Sequence, residues 1–242
     1  MERASFLVVG AGGLGCPALL GLVGAGARQL TIVDDDVVDA SNLQRQVLFD
    51  TADVGARKTR AAAASLRARA REPLAVTTID RRLDSSDPAS LDALVSGQLG
   101  GPAPTCVLEC SDDPGLKFAI HDACLARGLP VVVAGVIGWR GQVMAVDPGQ
   151  PERACYRCLF ETPPPRELAP ACVAVGVIGA VAGVLGHAMA LLAVGLITGA
   201  REAAGALLHF DLLAGGVRRM APSPRRGCRG CGGPRNLLAA AP

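Results

Sequence analysis

The apolar positions of this chain fall into short runs set apart by polar turns and by stretches of helical composition. Phe6-Leu7-Val8-Val9 is the first such run, and it enters a glycine-rich turn. Leu14 to Gly26 reads as a helix, and Leu30-Thr31-Ile32-Val33 as a second strand closed by three aspartates. Strand, turn, helix and strand make the opening unit of a parallel sheet. Polar residues 41–53 form a long connection, and Arg57 to Arg71, rich in alanine and arginine, reads as a helix. Val76 to Ile79, Cys106 to Cys110 and Pro130 to Ala134 are expected as further strands, with helices around Leu91–Val95 and over Leu116–Arg127. This alternation predicts a doubly wound sheet with helices on both faces.

After Gly135 the pattern changes. Gly141 to Val146 reads as a strand with no helix before it, and Leu207–Phe210 and Val217–Met220 as antiparallel partners. The fold class is therefore α/β: a Rossmann-like, doubly wound, mostly parallel sheet with C-terminal antiparallel strands. No repeat or linker divides the chain. It is read as one domain over residues 1–242, with a nucleotide-binding half of about 1–135 and a cysteine-bearing elaboration of about 136–242. Residues 171–200 carry no Asp, Glu, Lys or Arg, long enough for a membrane span. His187, the glycines and the preceding prolines favour a buried helix instead.

Composition narrows the function. Half the residues are hydrophobic and 19% are charged, which excludes wholesale disorder. A net charge of +2 and 3% aromatics argue against a nucleic-acid binder. Lys58 and Lys117 are the only lysines. The nine cysteines come without a secretory signal, so a reducing, cytoplasmic setting is expected.

Gly10-Ala11-Gly12-Gly13-Leu14-Gly15 fits the pattern in which glycines let a backbone approach phosphate at a helix N-terminus. Asp34, at the end of the next strand, is placed to accept bonds from ribose hydroxyls. Taken alone, the motif fits NAD. Arg45, in Ser-Asn-Leu-Gln-Arg-Gln, and Lys58 add cations of the kind a triphosphate needs when pyrophosphate leaves; an isolated surface arginine or lysine is the plain alternative. Asp112 and Asp113 end the fourth strand, where one carboxylate can hold Mg²⁺ while the other caps a helix. Cys155-Tyr156-Arg157-Cys158 and Cys228-Arg229-Gly230-Cys231 supply two C-x-x-C pairs, a donor set for tetrahedral Zn²⁺ in a structural site; a redox dithiol or unrelated thiols are the alternatives. Cys172 reads either as a small buried hydrophobe or as an exposed thiol of lowered pKa.

Taken in order, these motifs resemble the MoeB/ThiF family, the bacterial relatives of ubiquitin-activating enzymes, across essentially the whole chain. The resemblance implies ATP-dependent adenylation of the C-terminal glycine of a ubiquitin-like sulfur-carrier protein with a Gly-Gly tail. Pyrophosphate is released ahead of thiocarboxylate formation, for which a persulfide protein is an implied sulfur donor. It places Gly10, Gly12, Gly13, Gly15 and Asp34 on the nucleotide, and Asn42, Arg45 and Lys58 on the phosphates. Asp112 is placed on Mg²⁺ and Cys155, Cys158, Cys228 and Cys231 on zinc. Cys172 matches the family's loop cysteine. A homodimer is implied, with no nucleic acid and no membrane, and residues 173–197 as a core and interface helix. The chain departs from the family in opening at its first strand, without the N-terminal helix whose arginine reaches the partner subunit's ATP site. Asp113, Lys117, His121 and Ala174 replace a usual Asn, Arg, Asn and Glu. Two other readings stand: an NAD-dependent oxidoreductase, which accounts for the glycine turn and Asp34, and a catalytically weakened module that binds a ubiquitin-like protein, which the missing arginine supports.

Overall fold

The first strand shows why its apolar run is continuous rather than alternating. Phe6 and Val8 pack into one core layer, and Leu7 and Val9 into the layer on the opposite face. A strand covered on both sides has no polar face to display. The computed structural model describes residues 1–164 and 176–232. Within them, β1 (Ser5–Val9), β2 (Gln29–Val33), β3 (Ala75–Ile79), β4 (Cys106–Glu109) and β5 (Val131–Ile137) are parallel. β6 (Arg140–Val146), β7 (Leu207–Asp211) and β8 (Gly216–Met220) continue the same sheet antiparallel, in the order β3-β2-β1-β4-β5-β6-β7-β8.

Helices α1 (Gly15–Gly24), α2 (Lys58–Arg69) and α6 (Gly179–Thr198) cover one face. Helices α3 (Pro88–Val95) and α4 (Pro114–Ala126), with the short α5 (Tyr156–Leu159), cover the other. The order reverses beside β1, whose neighbours are β2 and β4. Such a switch point opens a crevice at the carboxyl ends of the strands.

Two local details refine the expectations. β5 runs on past Gly135 to Ile137, because Gly135 pairs with Gln142 inside a hairpin that turns at Gly138-Trp139. Within the charge-free stretch, Gly179–Thr198 form a 20-residue helix, α6, long and apolar enough to cross a membrane by length and composition alone. Here Val181, Leu185, Met189, Ala193 and Leu196 are buried in the core shared with α1 and the sheet. Small residues let the two helices approach: a Cβ on Gly21 would lie 2.7 Å from that of Ala190. Val184 and Leu191 remain exposed on its outer side.

Candidate functional site

The glycine turn is shaped by its own backbone. Gly10 has φ of +93°, where a side chain is strained, and a Cβ on Gly15 would collide with the Gly10 carbonyl oxygen. Gly10 N–H donates to Val33 O at 2.8 Å, and Ala11 N–H donates to Asp34 Oδ2 at 2.7 Å. Asp34 Oδ1 accepts from Asp36 N–H at 2.9 Å. Each carboxylate oxygen keeps a second lone pair for a ligand hydroxyl. Burial lifts Asp34 above the ordinary carboxylate range, although these N–H groups and Lys58 work against it.

Gly10, Gly12, Gly13, Asp34, Asn42, Arg45, Lys58 and Asp112 all line one cleft of about 520 Å³. Gly15 lies behind the turn rather than on the cleft wall. Arg45 follows a short 3₁₀ turn over Ala40–Asn42, donates to Asn42 Oδ1, and lays its side chain close to Gly13. Lys58 opens α2 and is only 5% exposed, its Nζ 2.7 Å from Asp36 Oδ2. Asp113 caps α4 by accepting from Leu116 N–H at 3.1 Å, so of the adjacent aspartates Asp112 is the one not used as the cap.

Other residues share the cleft that sequence reasoning did not single out. Arg81, Arg82 and Leu83 follow β3, and Val136, Ile137 and Val177 form the wall on the β5 side. The rule that ligands sit beyond the carboxyl ends of parallel strands would have pointed to the loop after β3. Gln46 also lines the cleft, and its buried Oε1 has no donor among the described residues. Beneath Ser111 and Asp112 lies Glu109, fully buried and 2.6 Å from Lys117 Nζ. Burial pushes this carboxyl upward, against the opposing pull of Lys117 and Ser111. Cys172 lies outside the described residues.

The four paired cysteines meet at the opposite end of α4. The Cys155–Cys158, Cys155–Cys228 and Cys158–Cys231 Sγ separations are 3.8, 3.7 and 3.4 Å, and all four sulfurs lie within 4.8 Å of one another. Tetrahedral zinc with bonds of about 2.3 Å sets its sulfurs about 3.8 Å apart, so this donor set fits the ion. Burial pushes Cys155 and Cys231 up, Cys231 to about 12. At Cys228 burial is outweighed by N–H groups of Cys231 and Gly230, which bring it down to about 7.

Helix α4 braces this cluster. His121 Nε2 accepts the Tyr156 N–H at 3.2 Å, and its Nδ1 sits 3.0 Å from Asp122 Oδ1. Arg157 donates to Asp122 at 2.7 Å through Nη2, and its guanidinium lies 4.8 Å from the Phe118 ring centre. Burial alone would raise Asp122, but bonds from His121 and Arg157 prevail and hold it below the ordinary range.

The sequence profile of the ThiF family matches residues 1–230. Sulfur carrier protein ThiS adenylyltransferase of Escherichia coli is 37% identical over 227 residues, covering 94% of this chain and 85% of that protein. Adenylyltransferase and sulfurtransferase MOCS3 of Mus musculus is 40% identical over 235 residues, covering 96% of this chain and 48% of that protein. The chain thus spans about half the length of the MOCS3 relatives. SAMP-activating enzyme E1 of Haloferax volcanii is 36% identical over 208 residues, covering 86% of this chain and 72% of that protein. Among solved structures, E. coli MccB with ATP superposes with a TM-score of 0.80 at 20% identity, covering 96% of this chain and 68% of that one. At that identity the likeness speaks for the fold.

Proposed function

Given that this chain belongs to the ThiF family, we propose that it adenylates the C-terminal glycine of a ubiquitin-like sulfur-carrier protein at the expense of ATP. The observation that carries this reading is the convergence of the glycine turn, Asp34, Asn42, Arg45, Lys58 and Asp112 on one cleft at the sheet's switch point. An NAD site would leave the cations without a task. A triphosphate gives each one a charge to neutralise.

In this reading the ribose bonds to Asp34, and the phosphates lie over the glycine turn, facing Asn42, Arg45 and Lys58. The carrier's terminal carboxylate attacks the α-phosphorus, the bond to the β-phosphate oxygen breaks, and pyrophosphate leaves with that electron pair. Arg45 and Lys58 stabilise the charge that grows on the leaving group. Lys58 shares its proton donors between Asp36 and a phosphate oxygen. Asp112 would hold Mg²⁺, which supplies charge neutralisation across the phosphates when bound. Cys155, Cys158, Cys228 and Cys231 would hold zinc with no open position, so that ion serves structure. Cys172 is assigned to the later exchange of AMP for sulfur from a persulfide donor. The chain works as one adenylation domain, in a homodimer, in the cytoplasm.

The test is pyrophosphate release from Mg-ATP, with and without a carrier ending in Gly-Gly. Release that depends on the carrier and vanishes when the last glycine is deleted is the expected result. Tight NADH binding with no release from any carrier would sink the proposal.

A further inference from the structure

Glu109 is a buried ionisable group to which the reaction above assigns no role. Its side chain is fully shielded, and Lys117, its partner at 2.6 Å, is 8% exposed. Buried ion pairs rarely stabilise a fold more than apolar side chains of the same volume. The pair therefore calls for a purpose besides stability, and its remaining bonds indicate one. Glu109 Oε1 accepts from both the backbone N–H, at 3.1 Å, and the hydroxyl of Ser111. Lys117 Nζ donates to the carbonyl oxygen of that same residue. Ser111 is thus held at its N–H, its C=O and its hydroxyl by one charge pair. On the far side of Asp112, Asp113 is fixed as the cap of α4. Asp112 stands between two anchored neighbours, on the cleft wall.

We propose that Glu109 and Lys117 are positioning residues for Asp112: they lock the Ser111 peptide so that the Asp112 carboxylate meets a metal-bound nucleotide in one orientation. This rests on the nucleotide reading above. Partners that orient a metal-binding group from behind are worth about 10- to 100-fold in metal affinity.

The experiment is isothermal titration of the full, zinc-loaded chain with ATP, once with excess Mn²⁺ and once with EDTA. Lys117→Met is expected to lose about tenfold of the affinity that Mn²⁺ adds, with metal-free ATP binding changed by less than about threefold. Lys117→Arg, which can still reach Glu109, is expected to restore the metal-dependent part. Equal losses with and without metal, or no loss in a folded Lys117→Met chain, would overturn the proposal. Should that variant not fold, Ser111→Ala removes one anchor and leaves the pair intact; it is expected to lose about threefold of the Mn²⁺ effect, and an unchanged Mn²⁺ effect overturns the idea. Failure of the wild-type chain to bind ATP under either condition would instead count against the nucleotide reading itself.

Discussion

The cysteine cluster and the nucleotide cleft both gather residues far apart in sequence, but they treat charge in different ways. In the cluster, Cys155 and Cys228 come from turns 73 residues apart, and like groups face one another at 3.4 to 3.8 Å. Burial and mutual repulsion push Cys155 and Cys231 upward. In the cleft, three of the principal polar groups already have protein partners: Lys58 has Asp36, Arg45 has Asn42, and Asp34 has two backbone N–H groups. The cluster needs a cation to complete it. The cleft is internally balanced and must exchange partners when a ligand enters. Loss of a residue should therefore cost fold in the first region and chemistry in the second.

The largest effect that would test this contrast is on the cluster. Cys228→Ser should abolish zinc retention and lower the melting temperature by more than about 10 °C, since metal binding at such sites is part of the folding free energy. Elemental analysis together with calorimetry checks it; freshly purified, reduced wild-type chain without zinc would break this half of the comparison. Next comes the cleft. Lys58→Ala should cut carrier-dependent pyrophosphate release by about 100-fold, the scale of losing one group that stabilises transition-state charge. Its partner Asp36 is 63% exposed, so the ion pair adds at most about 1 kcal/mol, and melting should stay within about 4 °C of wild type. A Lys58→Ala chain that melts as early as the cysteine variant would erase the distinction between the regions.

The two regions also differ in how far they can be read from the chain. The glycine turn and the C-x-x-C pairs depend on close spacing, so their chemistry is visible along the sequence. The helix cap at Asp113 is visible for the same reason, with Pro114 beside it. What the sequence hides is pairing at a distance. Lys58 is legible as a cation, but its bond to Asp36, 22 positions away, depends on how the start of α2 meets the loop that follows β2. Glu109 appears as one charge inside an apolar strand, and only the approach of α4 shows that Lys117 covers it. The extension of β5 escaped notice because Gly135 resembles a break, whereas a hairpin partner holds it in register. For α6, an apolar stretch with no charges fits a span and a core helix equally in hydropathy. The close approach of α1 and α6, with Gly21 against Ala190 and Gly186 against Pro17, is the tertiary fact that shows how it is buried here.

The smallest expected effect sharpens the comparison along α4, which runs between the two regions. His121 is fully buried, and burial holds its pKa below the ordinary imidazole value of 6.5. Its Nε2 accepts the Tyr156 N–H, so the folded state uses the neutral ring, with the proton on Nδ1 toward Asp122. The folded pKa lies below the unfolded one. Stability from this site is therefore complete above the unfolded value and is lost as pH falls through it toward the folded value. His121→Gln keeps an acceptor for Tyr156 but cannot titrate. Melting temperatures of both zinc-loaded chains, followed from about pH 7.5 to about pH 5.5, should fall more steeply for wild type than for the variant. Parallel curves would mean that the ring charges without cost, and that α4 braces the cysteine turn through Asp122 and Arg157 alone.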